Sequence, residues 1–127
     1  MDKKKWFTCR VIHGSSMGAA FGFPTLNLVH PGILSGQKEG VYAARVKIKD
    51  KIYQGALFYG PRVMLGETQS VLEIFVFDFA ENIYGESVSF QLGPYIREVR
   101  NFPNFNELKI QIQKDCQKAK QLLYPSN

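Results

Sequence analysis

Apolar and polar side chains alternate through much of this chain, and the alternation gives way to a helical spacing only towards its end. Over residues 41–49, Tyr42, Ala44, Val46 and Ile48 share one face while Ala43, Arg45, Lys47 and Lys49 share the other, the period of two of a half-buried strand. Asp50 and Lys51 supply a tight reversal into residues 52–59, so the pair predicts an antiparallel hairpin that Pro61 ends. Residues 6–12 are rich in aromatic and β-branched side chains and predict a strand that stops at Gly14. Residues 71–79 are apolar on both faces, which predicts a strand running through the middle of the structure. The turn at Tyr84 and Gly85 leads into one more strand, residues 87–92, with Val88, Phe90 and Leu92 inward. Five or six strands with no helix between them predict a closed or nearly closed antiparallel barrel, a solution that also removes exposed edges.

The last element changes period. Phe105, Leu108, Ile112, Cys116, Ala119 and Leu123 recur at helical spacing, Asn104 is placed to cap the helix, and Glu107 is placed to complete a capping box. Pro125 ends it. A helix of this length is marginal without a packing surface, so its apolar stripe predicts docking on the barrel.

Composition narrows the class. A chain of 127 residues has room for one core, so a single domain over 1–127 with a core of about 6–123 is expected. Hydrophobic residues at 45% and aromatics at 13% are enough to fill it. Cys9 and Cys116 are far apart and sit in no ligand spacing, which argues against a disulfide framework or a zinc site. No apolar run is long enough for a signal peptide or a membrane span, and the expectation is a cytoplasmic monomer without a membrane partner. Charge is uneven: residues 1–64 carry ten Lys/Arg against three Asp/Glu, or +7, and residues 65–127 six against eight, or −2. A basic first half suits a polyphosphate, a nucleic acid or a membrane surface, and equally a solvated surface.

The common phosphate-loop, dinucleotide, nucleophile-elbow and zinc-protease motifs are missing, so candidate chemistry comes from less general patterns. Residues 13–22 hold Gly14, Gly18 and Gly22 among small side chains and predict a loop whose backbone can approach a ligand closely. Directly after it come Phe23, Pro24, Thr25, Leu26 and Asn27; the Thr25 hydroxyl and Asn27 carboxamide are either two neutral oxygens for a magnesium ion or ordinary turn residues bonding their own backbone. Glu73 lies mid-strand on the face of Val71, Phe75, Phe77 and Phe79, and either enters a cavity as a proton acceptor or pairs outside with Lys or Arg. His13 is a structural hydrogen-bonder or a catalytic group. Arg97 and Arg100 flank Glu98 ahead of the helix, in a solvated turn or against a substrate.

Together these residues resemble the riboflavin kinase family from about Cys9 to Ala119. The resemblance is carried in order by Val11 to Gly14, Gly22 to Leu28, Gly40 to Ala43, Leu72 to Ile74 with Asp78 and Phe79, Ile83 to Gly85, Ile96 to Glu98, and Glu107, Leu108, Gln111, Ile112 and Asp115. It implies a six-stranded antiparallel Greek-key barrel with a packed C-terminal helix. It implies an ATP-dependent kinase that phosphorylates riboflavin to FMN with Mg²⁺, or Zn²⁺ or Mn²⁺, and that has small-molecule rather than nucleic-acid partners. Glu73 resembles the general base, and Thr25 and Asn27 the metal-holding pair. His13, Gly14, Gly18, Gly22, Phe23 and Pro24 complete the nucleotide site with them, and Arg97, Arg100 and Leu108 are the implied flavin contacts. The chain departs from the pattern at Ala19, Phe58, Val63 and Met64, in place of Arg, Asn and a Pro-Thr pair, and at Leu26 and Cys9. Those departures leave a non-catalytic flavin or nucleotide binder as the alternative. An oligonucleotide-binding barrel displaying Trp6 and Tyr53 is a third reading.

Overall fold

The computed structural model describes residues 5–12, 25–29 and 31–123. Six strands pair side by side until the last meets the first: β1 (Phe7–Ile12), β2 (Thr25–Leu28), β3 (Gly40–Ile48), β4 (Lys51–Pro61), β5 (Ser70–Val76) and β6 (Ser87–Arg97). The barrel closes in the order β1-β2-β5-β4-β3-β6, with every pairing antiparallel. Only the β3–β4 hairpin and the β4–β5 and β1–β2 pairs join neighbours in sequence; β2–β5, β3–β6 and β1–β6 are long-range closures. Among the described residues one α-helix, α1 (Phe105–Leu123), lies on the outside.

Alternation sorts the side chains into two separate cores. The inward set includes Val11, Leu28, Val46, Leu57, Ile74 and Phe90, and fills the barrel. The outward set is smaller: Ala43, Ala56 and Phe75 from the wall meet Ile112, Cys116, Ala119 and Leu123 of α1. The helix thus buries one outer face of the barrel, and β3, expected to be half-buried, is nearly covered on both sides. The Asn104 cap forms, with the Glu107 amide donating to Asn104 Oδ1 at 2.9 Å. Phe105 belongs to the stripe by spacing but is 51% exposed, because it sits on the first turn beyond the barrel wall's reach.

Several expectations shift. Residues 25–28 are a strand rather than a turn, bonded on both edges by β1 and β5. The hairpin reverses at Lys49 and Asp50, one residue earlier than expected, with Lys49 in the left-handed region. β5 stops at Val76, because Asp78 takes a left-handed φ of 62°. The alternation breaks there: Phe77 lies under Lys120 of α1, whereas Phe79 turns into the barrel core against Tyr53 at 5.2 Å. Phe79 therefore does not share the Glu73 face. Tyr53 is part of that packing and is no exposed stacking platform, which removes half of the aromatic display the oligonucleotide reading relied on. β6 runs five residues past Leu92, through Pro94 to Arg97, because a register irregularity between Tyr42 and Ala44 accommodates the proline opposite β3. The Pro125 stop and the loop over residues 13–22 fall outside the described residues.

Gly40 opens β3 where β6 crosses it. Its φ is +147°, and a Cβ there would fall onto the Arg97 carbonyl oxygen and lie 2.5 Å from Tyr95 Oη. Gly40→Ala is expected to cost about 1–3 kcal/mol and to lower the thermal midpoint, as measured by calorimetry or circular dichroism.

Candidate functional site

Strand register assembles the site from residues that are distant in sequence. Asn27 of β2 stands opposite Glu73 of β5, Glu73 opposite Phe58 of β4, Phe58 opposite Val41 of β3, and Val41 opposite Arg97 of β6. These five residues form one lateral row across the outer wall. At strand spacings of about 4.8 Å the Asn27 and Glu73 backbones are immediate neighbours, while Glu73 and Arg97 are three strand spacings apart, about 14 Å measured along the curved wall. Thr25 pairs with Phe75 and lies two residues along β2 from Asn27, so it shares Asn27's outward parity.

Over this row lies a narrow, solvent-open cleft with a cavity volume of about 60 Å³, between the wall and the first half of α1. Its floor includes Val41, Phe58, Glu73 and Phe75; Phe102, Leu108 and Ile112 close it from the helix side, and Met64 and Arg62 from the β4–β5 connection. Arg97, Arg100 and Asp115 line its far end. The lining is therefore mostly apolar and aromatic, with two carboxylates, Glu73 and Asp115, and three guanidinium groups, Arg62, Arg97 and Arg100. Glu73 is only 3% exposed and Asn27 8%. A carboxylate so buried needs polar partners, and no buried side-chain polar atom among the described residues lacks one.

Of the residues singled out from the sequence, Glu73, Arg97, Arg100 and Leu108 meet in this cleft. Asn27 adjoins it through Glu73, whereas Thr25 lines a different groove with Leu26, Asn82, Ile83 and Tyr84. Glu73 thus borders the apolar cleft on one side and the Thr25–Asn27 strand on the other. Glu73 enters a cleft on the outside of the barrel, not its interior, because Leu72 and Ile74 on either side take the inward positions. Among the described residues no group of three or more His, Cys, Asp or Glu side chains could hold a metal ion, so a metal here would depend on neutral oxygens such as those of Thr25 and Asn27. His13, Gly14, Gly18, Gly22, Phe23 and Pro24 lie outside the described residues.

Arg97 is not a solvated turn residue. Its Nε lies 2.9 and 3.1 Å from the two Asp115 oxygens and its Nη2 2.8 Å from Oδ2, while Nη1 donates to the Glu98 carbonyl at 2.9 Å. Asp115 is 2% exposed, so this fork of charge-assisted bonds clamps α1 to the end of β6. On the other rim, Arg62 Nε pairs with Glu67 Oε1 at 3.1 Å. Sequence reasoning missed Arg62, Phe102 and Asp115 as site residues. Asp115 had a legible signal, a carboxylate one residue from the apolar stripe of α1, but its arginine partner could not be named without the β6 extension.

Burial pushes the Cys116 thiol up to about 11, with the neighbouring Asp115 charge adding to the rise and Lys120 opposing it. The folded protein holds that proton more tightly than the unfolded chain does, whose thiol titrates near 9.0. This contribution to stability is full below about pH 9 and is lost as the pH rises towards 11. Cys116→Ala is expected to lose less stability than the parent between those pH values, as read from urea midpoints.

The Flavokinase family model, described as riboflavin kinase, matches residues 2–123. Among curated relatives, a bifunctional riboflavin kinase/FMN adenylyltransferase of Haemophilus influenzae is 40% identical over 87% of this chain and 36% of its own length. The RNA-binding riboflavin kinase RibR of Bacillus subtilis is 34% identical over 83% of this chain and 45% of its own. This chain thus spans less than half the length of either relative. Among solved structures, riboflavin kinase from Trypanosoma brucei superposes with a TM-score of 0.66 at 22% identity, covering 95% of this chain and 81% of that one, and shares the fold.

Proposed function

Because the chain belongs to the riboflavin kinase family, we propose that it transfers the terminal phosphoryl group of ATP to the terminal ribityl hydroxyl of riboflavin, releasing FMN and ADP. The observation that carries this reading is the placement of Glu73, at the border between an apolar aromatic cleft and the strand bearing Thr25 and Asn27. The lining suits a tricyclic ring, which would enter as the narrow cleft widens: Val41, Phe58, Phe75 and Leu108 offer it apolar contact, and Arg97 and Arg100 offer polar contact. Glu73 and Arg97 line the same cleft from strands three places apart, so a ligand with the ring by the arginines would direct its ribityl hydroxyl at the carboxylate.

In this reading Glu73 accepts the hydroxyl proton as the ribityl oxygen bonds to phosphorus, and the bond from phosphorus to the bridging oxygen of ADP breaks. Thr25 and Asn27 would hold Mg²⁺, whose charge, when it is bound, offsets that of the ATP phosphates. A hydroxyl and a carboxamide carbonyl are the hard, neutral oxygen donors this ion accepts alongside water and phosphate. The protein's own share is positioning and exclusion of water: α1 roofs the acceptor, and strand register fixes the base beside the phosphate side of the site. We further infer that the domain works on small molecules as a cytoplasmic monomer, with no nucleic acid or membrane partner. Among the described residues, no helix is long and apolar enough to cross a membrane.

Purified protein given riboflavin, ATP and Mg²⁺ is expected to produce FMN and ADP in equal amounts, read by chromatography. Riboflavin binding without any FMN would instead favour the non-catalytic reading, which the apolar Phe58 and Met64 in the cleft motivate. Glu73→Gln is expected to lower kcat by about two to four decades while riboflavin affinity stays within a few-fold; unchanged turnover would remove Glu73 from the chemistry. Asn27→Ala is expected to raise the Mg²⁺ concentration needed for half-maximal rate by about tenfold or more, with riboflavin KM little altered.

A further inference from the structure

We propose that Asp115 is a positioning residue for the flavin, holding the Phe102 ring in the cleft wall through two arginines without touching the ligand itself; this rests on the riboflavin reading above. Asp115 lines the cleft yet has little capacity left for a ligand. Its two oxygens accept from Arg97 Nε at 2.9 and 3.1 Å, from Arg97 Nη2 at 2.8 Å and from Gln111 Nε2 at 2.9 Å. A carboxylate offers about four acceptor positions, and three N–H donors, with the Arg97 Nε–H shared between the two oxygens, take up most of them.

The influence of Asp115 is carried outward by its donors. Gln111 stands one helical turn before it, and because Gln111 Nε2 is committed to Asp115, the amide oxygen faces the other way. There it accepts from Arg100 Nη1 at 3.1 Å. The result is a continuous chain, Arg97–Asp115–Gln111–Arg100, whose two ends converge on one aromatic ring. The Arg97 guanidinium lies 5.7 Å and that of Arg100 5.3 Å from the Phe102 centroid. Phe102 belongs to residues 98–104, which have no strand or helix ladder. Its ring therefore depends on side-chain contacts for its place in the cleft. Removing the Asp115 charge would leave Arg97 only its bond to the Glu98 carbonyl and free Gln111 to turn away from Arg100, loosening both guanidinium groups and with them the ring.

The test is a double-mutant cycle on purified protein. Asp115→Asn keeps the side-chain volume and is expected to raise riboflavin KM about tenfold, with kcat and the KM for ATP changed less than about twofold. In a Phe102→Leu background the same substitution is expected to change riboflavin KM less than about twofold, because the ring it positions is gone. Gln111→Leu leaves the Arg97–Asp115 pair intact and cuts only the Arg100 arm. It is expected to raise KM about threefold, roughly half the tenfold effect on a logarithmic scale, and it carries the cycle alone if Asp115→Asn does not fold. Hydrogen–deuterium exchange over residues 98–104 reads the anchoring with no ligand present and is expected to quicken in both variants. Equal KM effects in the two backgrounds, or a lowered thermal midpoint with riboflavin KM unmoved, would overturn the proposal. Unchanged exchange would overturn it even if the parent protein made no FMN, an outcome that would count separately against the kinase reading.

Discussion

A strand of four residues holds this architecture together. Thr25–Leu28 is bonded on one edge to β1 and on the other to β5, and without it the barrel would be an open sheet with two exposed edges. Its register also decides the chemistry. Because side chains alternate with a period of two, a slip of one residue would turn Asn27 inward and set Leu26 or Leu28 against the Glu73 face. Burial of Leu26 and Leu28 in the barrel enforces the observed register, so hydrophobic packing on the inside of the strand places polar groups on its outside.

The outer wall shows how a buried carboxylate can sit in an otherwise apolar surface. α1 packs on Ala43, Ala56 and Phe75 from Ile112 to Leu123, where small wall residues let it approach, and the cleft opens towards its first turns, with Phe75, Leu108 and Ile112 shared between packing and cleft. The clamp between Arg97 and Asp115 lies near that transition. Taking both charges out of water is costly, and the multiple short bonds of the fork offset that cost, so the pair defines where the helix sits more than it adds to net stability. Glu73 and the arginines thus line one largely apolar trough, where polar groups are few enough to orient a ligand.

Family membership is consistent with each of these features, and two of the chain's departures from the family pattern fall in the cleft. Phe58 lies in the row between Glu73 and Val41, and Met64 lines the same cleft. Both make the trough more apolar beside the base.

Much of this was legible in the sequence. Alternation marked β3 and β6, aromatic and β-branched content marked β1, the tight reversal marked β4, an apolar run marked β5, the helical spacing and the Asn104 cap marked α1, and the ordered motifs pointed to Glu73, Thr25 and Asn27, because local periodicity and residue chemistry are properties of adjacent positions. What lay beyond it is what depends on pairing between distant segments. The four-residue β2 was too short to carry a period, the end of β5 turned on a left-handed Asp78, and β6 passed through Pro94 only because a register irregularity opposite β3 absorbed it. Sequence determined which residues could do chemistry and which faces had to be buried. Tertiary structure alone decided that Asn27 would adjoin Glu73 and that Arg97 would meet Asp115, since those contacts join strand ends and a helix whose relative placement is set by barrel closure rather than by neighbours in the chain.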